Sequence, residues 1–74
     1  MSQLERRSFS LAGHRTSVAL EPEFWAVLRE LAARQGRSLA QLIASADNER
    51  SADQGLASTL RLLALRGLRE NSGG

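Results

Sequence analysis

The sequence predicts a mainly helical domain in which one short β-strand is followed by three helices, completed by a second copy of the chain. Three observations support this. Apolar and polar residues alternate over 14–20, and a period of two is typical of a half-buried strand. Apolar residues then recur every three or four positions, as in amphipathic helices. A chain of 74 residues without cysteine has a small core and no disulfides, so dimerisation is the common remaining way to stabilise it.

The predicted strand covers residues 14–20, and residues 1–12 before it are predicted to form a basic N-terminal arm. Phe9 and Leu11 alternate with the opposite parity, and Gly13 lies where the parity switches, which is typical of a bulge or turn. Within the strand, the inward positions are Thr16, Val18 and Leu20, and the outward positions are Arg15, Ser17 and Ala19.

The first predicted helix covers residues 22–35. Pro22 suits the first helical position, and Glu21 and Glu23 complement the positive end of the helix dipole. Gly36 follows the last turn and can adopt the left-handed cap conformation. One apolar stripe runs along this helix: Phe24, Val27, Leu28, Leu31 and Ala32.

Two further helices complete the predicted domain, which spans residues 13–70. The second helix covers 38–48, with Ser38 as a good N-cap. The third covers 55–69 and is apolar nearly all round, which predicts burial against a second copy. Residues 71–74 are predicted to be a disordered tail. The stripe of the second helix consists of Leu39, Leu42, Ile43 and Ala46.

The whole net charge of +2 lies in residues 1–20, where three arginines face one glutamate; the other seven arginines are balanced by seven acids. An anionic partner is therefore expected at the N-terminal segment.

Several function classes are excluded on composition. Cysteine is absent and histidine occurs once, so we expect no metal and no cofactor. No nucleophile elbow or glycine-rich oxyanion loop surrounds a serine, so we expect no enzyme activity. No stretch approaches the roughly 18 apolar residues of a membrane span, and the N-terminus lacks the apolar segment of a secretory signal. The sequence therefore predicts a cytoplasmic protein without a membrane partner.

The order of strand, helix, glycine-terminated connection and serine-capped helix resembles the ribbon-helix-helix superfamily, the fold of the Arc and MetJ repressors. Within it, the chain is similar to short bacterial proteins, and the segment that carries the likeness reads GHRTSVALEPEFWAVLRELAARQGRSLAQLI. A second block, LASTLRLLAL, extends the likeness over most of residues 13–66. The resemblance implies an intertwined homodimer whose strands pair into an intermolecular antiparallel β-ribbon. It also implies that this ribbon enters the major groove of operator DNA as part of a transcriptional regulator, a repressor being expected.

The resemblance also implies site residues. Base contacts fall on Arg15, which can bind guanine bidentately, on Ser17, and on Ala19, which can touch only a thymine methyl group. Because few bases are read strongly, cooperative binding to repeated half-sites is expected. The predicted phosphate contacts are Arg6 and Arg7 on the arm and Arg37, Ser38 and Leu39 at the start of the second helix. The predicted dimer core consists of Val18, Leu20, Trp25, Leu28, Leu42, Leu60 and Leu63.

Three alternatives remain open. In the first, residues 6–20 form a hairpin within one chain, Phe9 and Leu11 pairing back on Val18 and Leu20, to give a marginal monomer. In the second, the protein is the antitoxin of a toxin–antitoxin pair. In the third, it is a dimeric protein-interaction adaptor that does not bind DNA. Further association of dimers and a partner protein also remain open.

Overall fold

The computed structural model describes residues 3–72 and confirms the predicted fold class: a mainly helical domain in which a β-ribbon precedes three helices. The three helices begin and end within three residues of their predicted bounds. The elements are β1 Glu5–Leu11, β2 His14–Leu20, α1 Pro22–Arg34, α2 Leu39–Glu49 and α3 Leu56–Ser72.

Both strands of the ribbon come from one chain, since β1 pairs antiparallel with β2. The prediction of one strand per subunit is therefore wrong. The predicted arm of residues 1–12 is also wrong from residue 5 onwards, where β1 begins. Residues 1–2 of that arm lie outside the described part. The physical reason is that Leu11 is buried and Phe9 packs against the core, which an extended arm would leave in water. A hairpin within one chain, the first alternative, is therefore observed, but its predicted pairing is wrong: Phe9 lies opposite Thr16 and Leu11 opposite His14, not opposite Val18 and Leu20.

A two-residue turn of Ala12 and Gly13 closes the hairpin. Both residues have positive φ, 51° at Ala12 and 82° at Gly13. Positive φ at both central residues defines the type I′ turn, whose twist matches that of the flanking strands. The turn predicted at Gly13 is confirmed, but alanine in the left-handed region is strained.

Replacing Ala12 by asparagine is expected to raise the free energy of unfolding by about 0.5–1 kcal/mol, because asparagine tolerates positive φ and Asn-Gly is the preferred type I′ pair. Urea unfolding followed by circular dichroism measures it. The matched control is Gly13→Ala, which should lower stability by a similar amount or more. A lower midpoint for Ala12→Asn would contradict a left-handed Ala12.

The hydrophobic core lies between the inner face of the hairpin and the helices. α3 packs on β2, α2 packs on β1, and α1 contacts both other helices. Trp25 is fully buried, and its indole Nε1 donates to the carbonyl oxygen of Glu5 at 2.7 Å. This bond ties the start of β1 to α1. The buried core residues are Leu11, Val18, Leu20, Trp25, Leu28, Leu31, Ala32, Leu42, Ile43, Leu60 and Ala64.

The junction between α1 and α2 has the predicted end signals. Gly36 has φ 68°, and the amide of Arg37 donates to the carbonyl of Ala32 at 2.9 Å, as in a Schellman motif. Ser38 is the N-cap of α2. The connection is thereby fixed on both sides, which sets the position of the α2 N-terminus.

The far end of α3 differs from its prediction. Residues 71 and 72, predicted as part of a disordered tail, continue the helix to Ser72, while residues 73–74 lie outside the described part. Only one side of α3 is buried. Leu60 and Ala64 are in the core, and Gly67 lies against the side chain of Leu31.

Candidate nucleic-acid interface

The side of the hairpin that points away from the helices, here called the outer face, is polar and basic. Its residues are Arg6, Ser8 and Ser10 on β1 and Arg15, Ser17 and Ala19 on β2. They form three cross-strand pairs, in which Arg6 faces Ala19, Ser8 faces Ser17 and Ser10 faces Arg15. All are exposed except Ala19, which is half-buried.

Strand alternation produces this face. The core takes every second residue of each strand, and side chains of successive residues point to opposite sides. The structure therefore places Arg15, Ser17 and Ala19 outward, as predicted. It adds Ser8 and Ser10, which the sequence reasoning did not assign. The sequence feature that could have identified Ser8 and Ser10 as outward residues is their alternation with the apolar Phe9 and Leu11.

The two arginines of the outer face have free guanidinium groups. Among the described residues, no hydrogen bond or ion pair engages the side chain of Arg6 or Arg15. Ser8 and Ser17 share one hydrogen bond, with their hydroxyl oxygens 2.9 Å apart. One hydroxyl of the pair therefore keeps a hydrogen to donate, and both keep acceptor capacity.

Arg7 lies on the other side of the strand from Arg6. Its Nε donates to Glu5 Oε2 at 2.9 Å, and its guanidinium carbon lies 5.6 Å from the centroid of the Trp25 ring. The structure thus does not bring Arg7 to the outer face. Its charge is paired with Glu5, and its guanidinium lies over the buried Trp25 ring.

The N-terminus of α2 holds the other predicted phosphate contacts. The amide of Ser38 donates to Gln41 Oε1 at 2.8 Å, and the amide of Gln41 donates to Ser38 Oγ at 3.1 Å. This capping box satisfies two helix-end donors, and the amides of Leu39 and Ala40 remain as donors without helical acceptors. Arg37 precedes the N-cap, and its Nε donates to Gln35 Oε1 at 3.0 Å.

The width of the hairpin fits the major groove. Two paired strands lie about 4.8 Å apart, and the major groove, about 12 Å wide, admits a two-stranded ribbon. Two hairpins joined edge to edge would place their outermost strands about 14 Å apart, which is too wide. The hairpin of one chain is therefore already an element of the right size.

The seven residues predicted for a dimer core are covered within one chain. Six are buried there, and Leu63 packs against the same cluster as a half-buried side chain. These side chains are shielded from solvent within one chain, without a second copy. A role for them between subunits therefore stays a prediction.

Residues 3–72 hold neither a candidate metal centre nor a candidate membrane span. No group of three or more acidic or histidine side chains in this part of the chain is placed to hold a metal ion. None of its helices has the length and apolar character needed to cross a membrane.

Comparisons with known proteins identify one family and one similar structure. Residues 4–68 match a family model described as a ribbon-helix-helix domain. A solved structure of an uncharacterized protein from Bordetella pertussis Tohama I superposes with a TM-score of 0.81 at 35% sequence identity. The match covers 99% of this chain and 62% of that chain, so this chain spans under two thirds of its length. No curated protein matches the sequence.

Proposed function

This chain belongs to the ribbon-helix-helix domain family, and from that premise we propose that it is a cytoplasmic, sequence-specific transcriptional repressor that inserts its hairpin into the DNA major groove. Members of this family are typically DNA-binding regulators or antitoxins and are generally not enzymes. The observation that carries the proposal is the outer face, where Arg6 and Arg15 are exposed, unpaired and flanked by serines.

Base recognition rests on Arg15 and Ser17. A free guanidinium can donate two parallel hydrogen bonds to O6 and N7 of guanine, a contact worth about 1–3 kcal/mol of discrimination. Serine hydroxyls can donate or accept at several base edges, and Ser10 lies beside Arg15 across the strand pair. Ala19 offers only a methyl contact to thymine. One hairpin therefore reads few bases strongly.

Phosphate contacts position the hairpin in the groove. Arg6 lies near the open end of the hairpin, opposite Ala19, and is the outer-face arginine best suited to a backbone phosphate. A second phosphate is expected at the α2 N-terminus, where Arg37 and the free amides of Leu39 and Ala40 offer donors and the helix dipole favours an anion.

A homodimer on two half-sites follows from the small number of bases each hairpin reads. Two copies double the base contacts and match a palindromic operator. In this arrangement each copy brings its own complete hairpin, and the dimer sets the spacing between the two hairpins.

The proposal is tested by salt titration against duplexes from the promoter region upstream of the protein's own gene. If each complex contacts about four phosphates, raising the salt from about 50 to about 200 mM should lower affinity about a hundredfold. Fluorescence anisotropy with a labelled duplex measures this, and a scrambled duplex of equal length is the control. No binding to either duplex at the lower salt would contradict the proposal.

A second candidate function, antitoxin or protein adaptor, is favoured by one observation. Three leucines of α3 are exposed on one side of the helix, at residues 62, 65 and 68. A stable one-to-one complex with the product of a neighbouring gene, retained by gel filtration, would support it.

A further inference from the structure

A groove of about 280 Å³, here called the helix groove, lies between the facing sides of α2 and α3. Both walls follow the helical period, since residues three and four positions apart share one face of a helix. Leu42 is buried, and Ala46 and Leu63 are half-buried, so an apolar floor runs between the two ends of the groove. The main wall residues are Leu42, Ser45, Ala46 and Glu49 on α2 and Leu63 and Arg66 on α3.

The two ends of the helix groove belong to different parts of the chain. Residues 50–55 connect α2 to α3, so Arg50, which lines the groove, marks the end at this connection. Arg37 precedes the N-cap of α2 and Arg66 lies well along α3, about 15 Å of helix from the connection in each case. Arg37 and Arg66, which also line the groove, therefore lie at its other end.

At the end formed by the connection, the charge of Arg50 is already offset. Its Nε donates to Asp47 Oδ1 at 2.8 Å, and its Nη1 donates to the carbonyl oxygen of Gln54 at 2.7 Å. Glu49, whose Oε2 accepts from Ser45 Oγ at 3.0 Å, adds a second carboxylate. This end therefore has no excess of positive charge.

At the opposite end, two guanidinium groups have no carboxylate partner. Among the described residues, Arg66 makes no hydrogen bond or ion pair, and the only side-chain bond of Arg37 runs from its Nε to the neutral amide of Gln35. Both Nη atoms of Arg37 keep their hydrogens to donate. Glu70, one turn further along α3, forms no ion pair with Arg66 within this part of the chain. Two positive charges are therefore unpaired at this end.

We propose that the helix groove binds a small phosphate monoester, with its phosphate between Arg37 and Arg66 and its uncharged body over the apolar floor. A phosphate monoester carries nearly two negative charges at neutral pH, which matches the two unpaired arginines, and its oxygens accept charge-assisted hydrogen bonds from guanidinium groups. A monocarboxylate would neutralise only one of them. The volume of the groove is near the lower limit of about 300 Å³ for ligand pockets, so the body is small.

Arg37 connects the helix groove to DNA binding. It is also a proposed contact to a backbone phosphate at the N-terminus of α2, and one guanidinium cannot serve both phosphates fully. The negative charge of the ligand also repels the DNA backbone. The ligand should therefore lower the affinity for the operator. This regulatory part rests on the proposed function, whereas binding of the ligand does not.

The first test measures ligand binding without DNA. Phenyl phosphate is titrated into the isotope-labelled protein at low salt, and NMR follows the amide signals of Ser45 and Ala46 and the Nε signal of Arg66. We expect a dissociation constant of about 1 mM. Inorganic phosphate should bind at least about tenfold more weakly, because it buries no ring. Equal affinity for inorganic phosphate would overturn an organic ligand.

A pair of variants locates the binding. Arg66→Gln should lower the affinity for phenyl phosphate at least about tenfold, because one charge-assisted contact is lost. Arg69→Gln is the matched control, since it removes the same charge from an exposed position of the same helix outside the groove lining. Circular dichroism checks that both variants fold. An equal decrease in both variants would mean that net charge determines binding, and would overturn the site.

The second test adds the operator duplex. If the ligand and the backbone phosphate exclude each other, phenyl phosphate at about five times its dissociation constant should lower operator affinity about sixfold for each copy bound. At the same concentration, Arg66→Gln should show only about a 1.5-fold decrease, because it binds the ligand about tenfold more weakly. An unchanged operator affinity of the wild type would overturn the regulatory role of Arg37.

The outcomes separate this proposal from the proposed function. Absence of phenyl phosphate binding at every concentration overturns the ligand site, even if the protein binds DNA with the expected salt dependence. If Arg66→Gln, without ligand, lowered operator affinity and made its salt dependence shallower, the groove would hold the DNA backbone, and the proposal would be overturned. Binding of phenyl phosphate that depends on Arg66, in a protein that binds no duplex, would support the site and remove the proposed function.

Discussion

Replacing Trp25 by alanine is expected to lower the free energy of unfolding by about 3–5 kcal/mol, enough to unfold most of the protein at room temperature. Trp25 is fully buried, and its ring centroid lies 5.9 Å from that of Phe9. The indole also donates to the Glu5 carbonyl, so its removal leaves a cavity and releases the start of β1. Circular dichroism during urea unfolding measures the destabilisation, because Trp25 is the only tryptophan and its own fluorescence disappears.

Two companion variants separate the contributions at Trp25. Trp25→Phe keeps a ring in the core but removes the hydrogen bond to Glu5, which should cost about 1–3 kcal/mol. Phe24→Ala, at the adjacent half-buried position, is the control and should have a smaller effect than Trp25→Ala. If the free energy of unfolding of Trp25→Ala lay within about 1 kcal/mol of the wild-type value, Trp25 would not be what holds β1 in place.

The helices were predictable because their apolar residues repeat with the helical period and their ends carry specific signals. Pro22 begins α1, Gly36 follows it in the left-handed conformation, and Ser38 caps α2. These signals act locally, so no knowledge of the tertiary structure is needed to interpret them.

The first strand was missed although its alternation was visible. Phe9 and Leu11 have odd numbers, while Val18 and Leu20 have even numbers, and a two-residue turn aligns these sets on one face. The turn itself gave a weak signal, because Ala12 is an unusual residue for the left-handed region. Partner choice is a tertiary property, so alternation alone did not decide between a strand from the same chain and one from a second copy.

The outer face was predictable on β2 and only partly on β1. The prediction treated Arg6 and Arg7 as a pair on a flexible arm, but neighbours in a strand point to opposite sides. Arg6 therefore joins Arg15 on the outer face, whereas Arg7 pairs with Glu5 beside the core. Which arginine lies on the outer face depended on the existence of β1, and that was the step the sequence left open.

Removing both outer-face arginines, in Arg6→Ala/Arg15→Ala, is expected to lower operator affinity by about 2–6 kcal/mol in a dimer, because each copy is deprived of at least one interaction worth about 1–3 kcal/mol. Stability should change little, since both side chains are exposed and unpaired. The control is Arg29→Ala/Arg34→Ala, which removes two exposed arginines from α1. An equally large decrease in the control would mean that net charge, and not the outer face, determines binding.

The single variants distinguish reading of bases from contact with phosphates. Arg15→Ala should lower the affinity for the operator more than the affinity for a scrambled duplex, because a bidentate contact to guanine carries sequence information. Arg6→Ala should lower the affinity for both duplexes equally. It should also make the slope of log affinity against log salt shallower by about one unit for each phosphate that is no longer bound. If Arg15→Ala also lowered the affinity for both duplexes equally, Arg15 would bind a phosphate and not a base. The hairpin would then lie across the backbone, and sequence recognition would need another element.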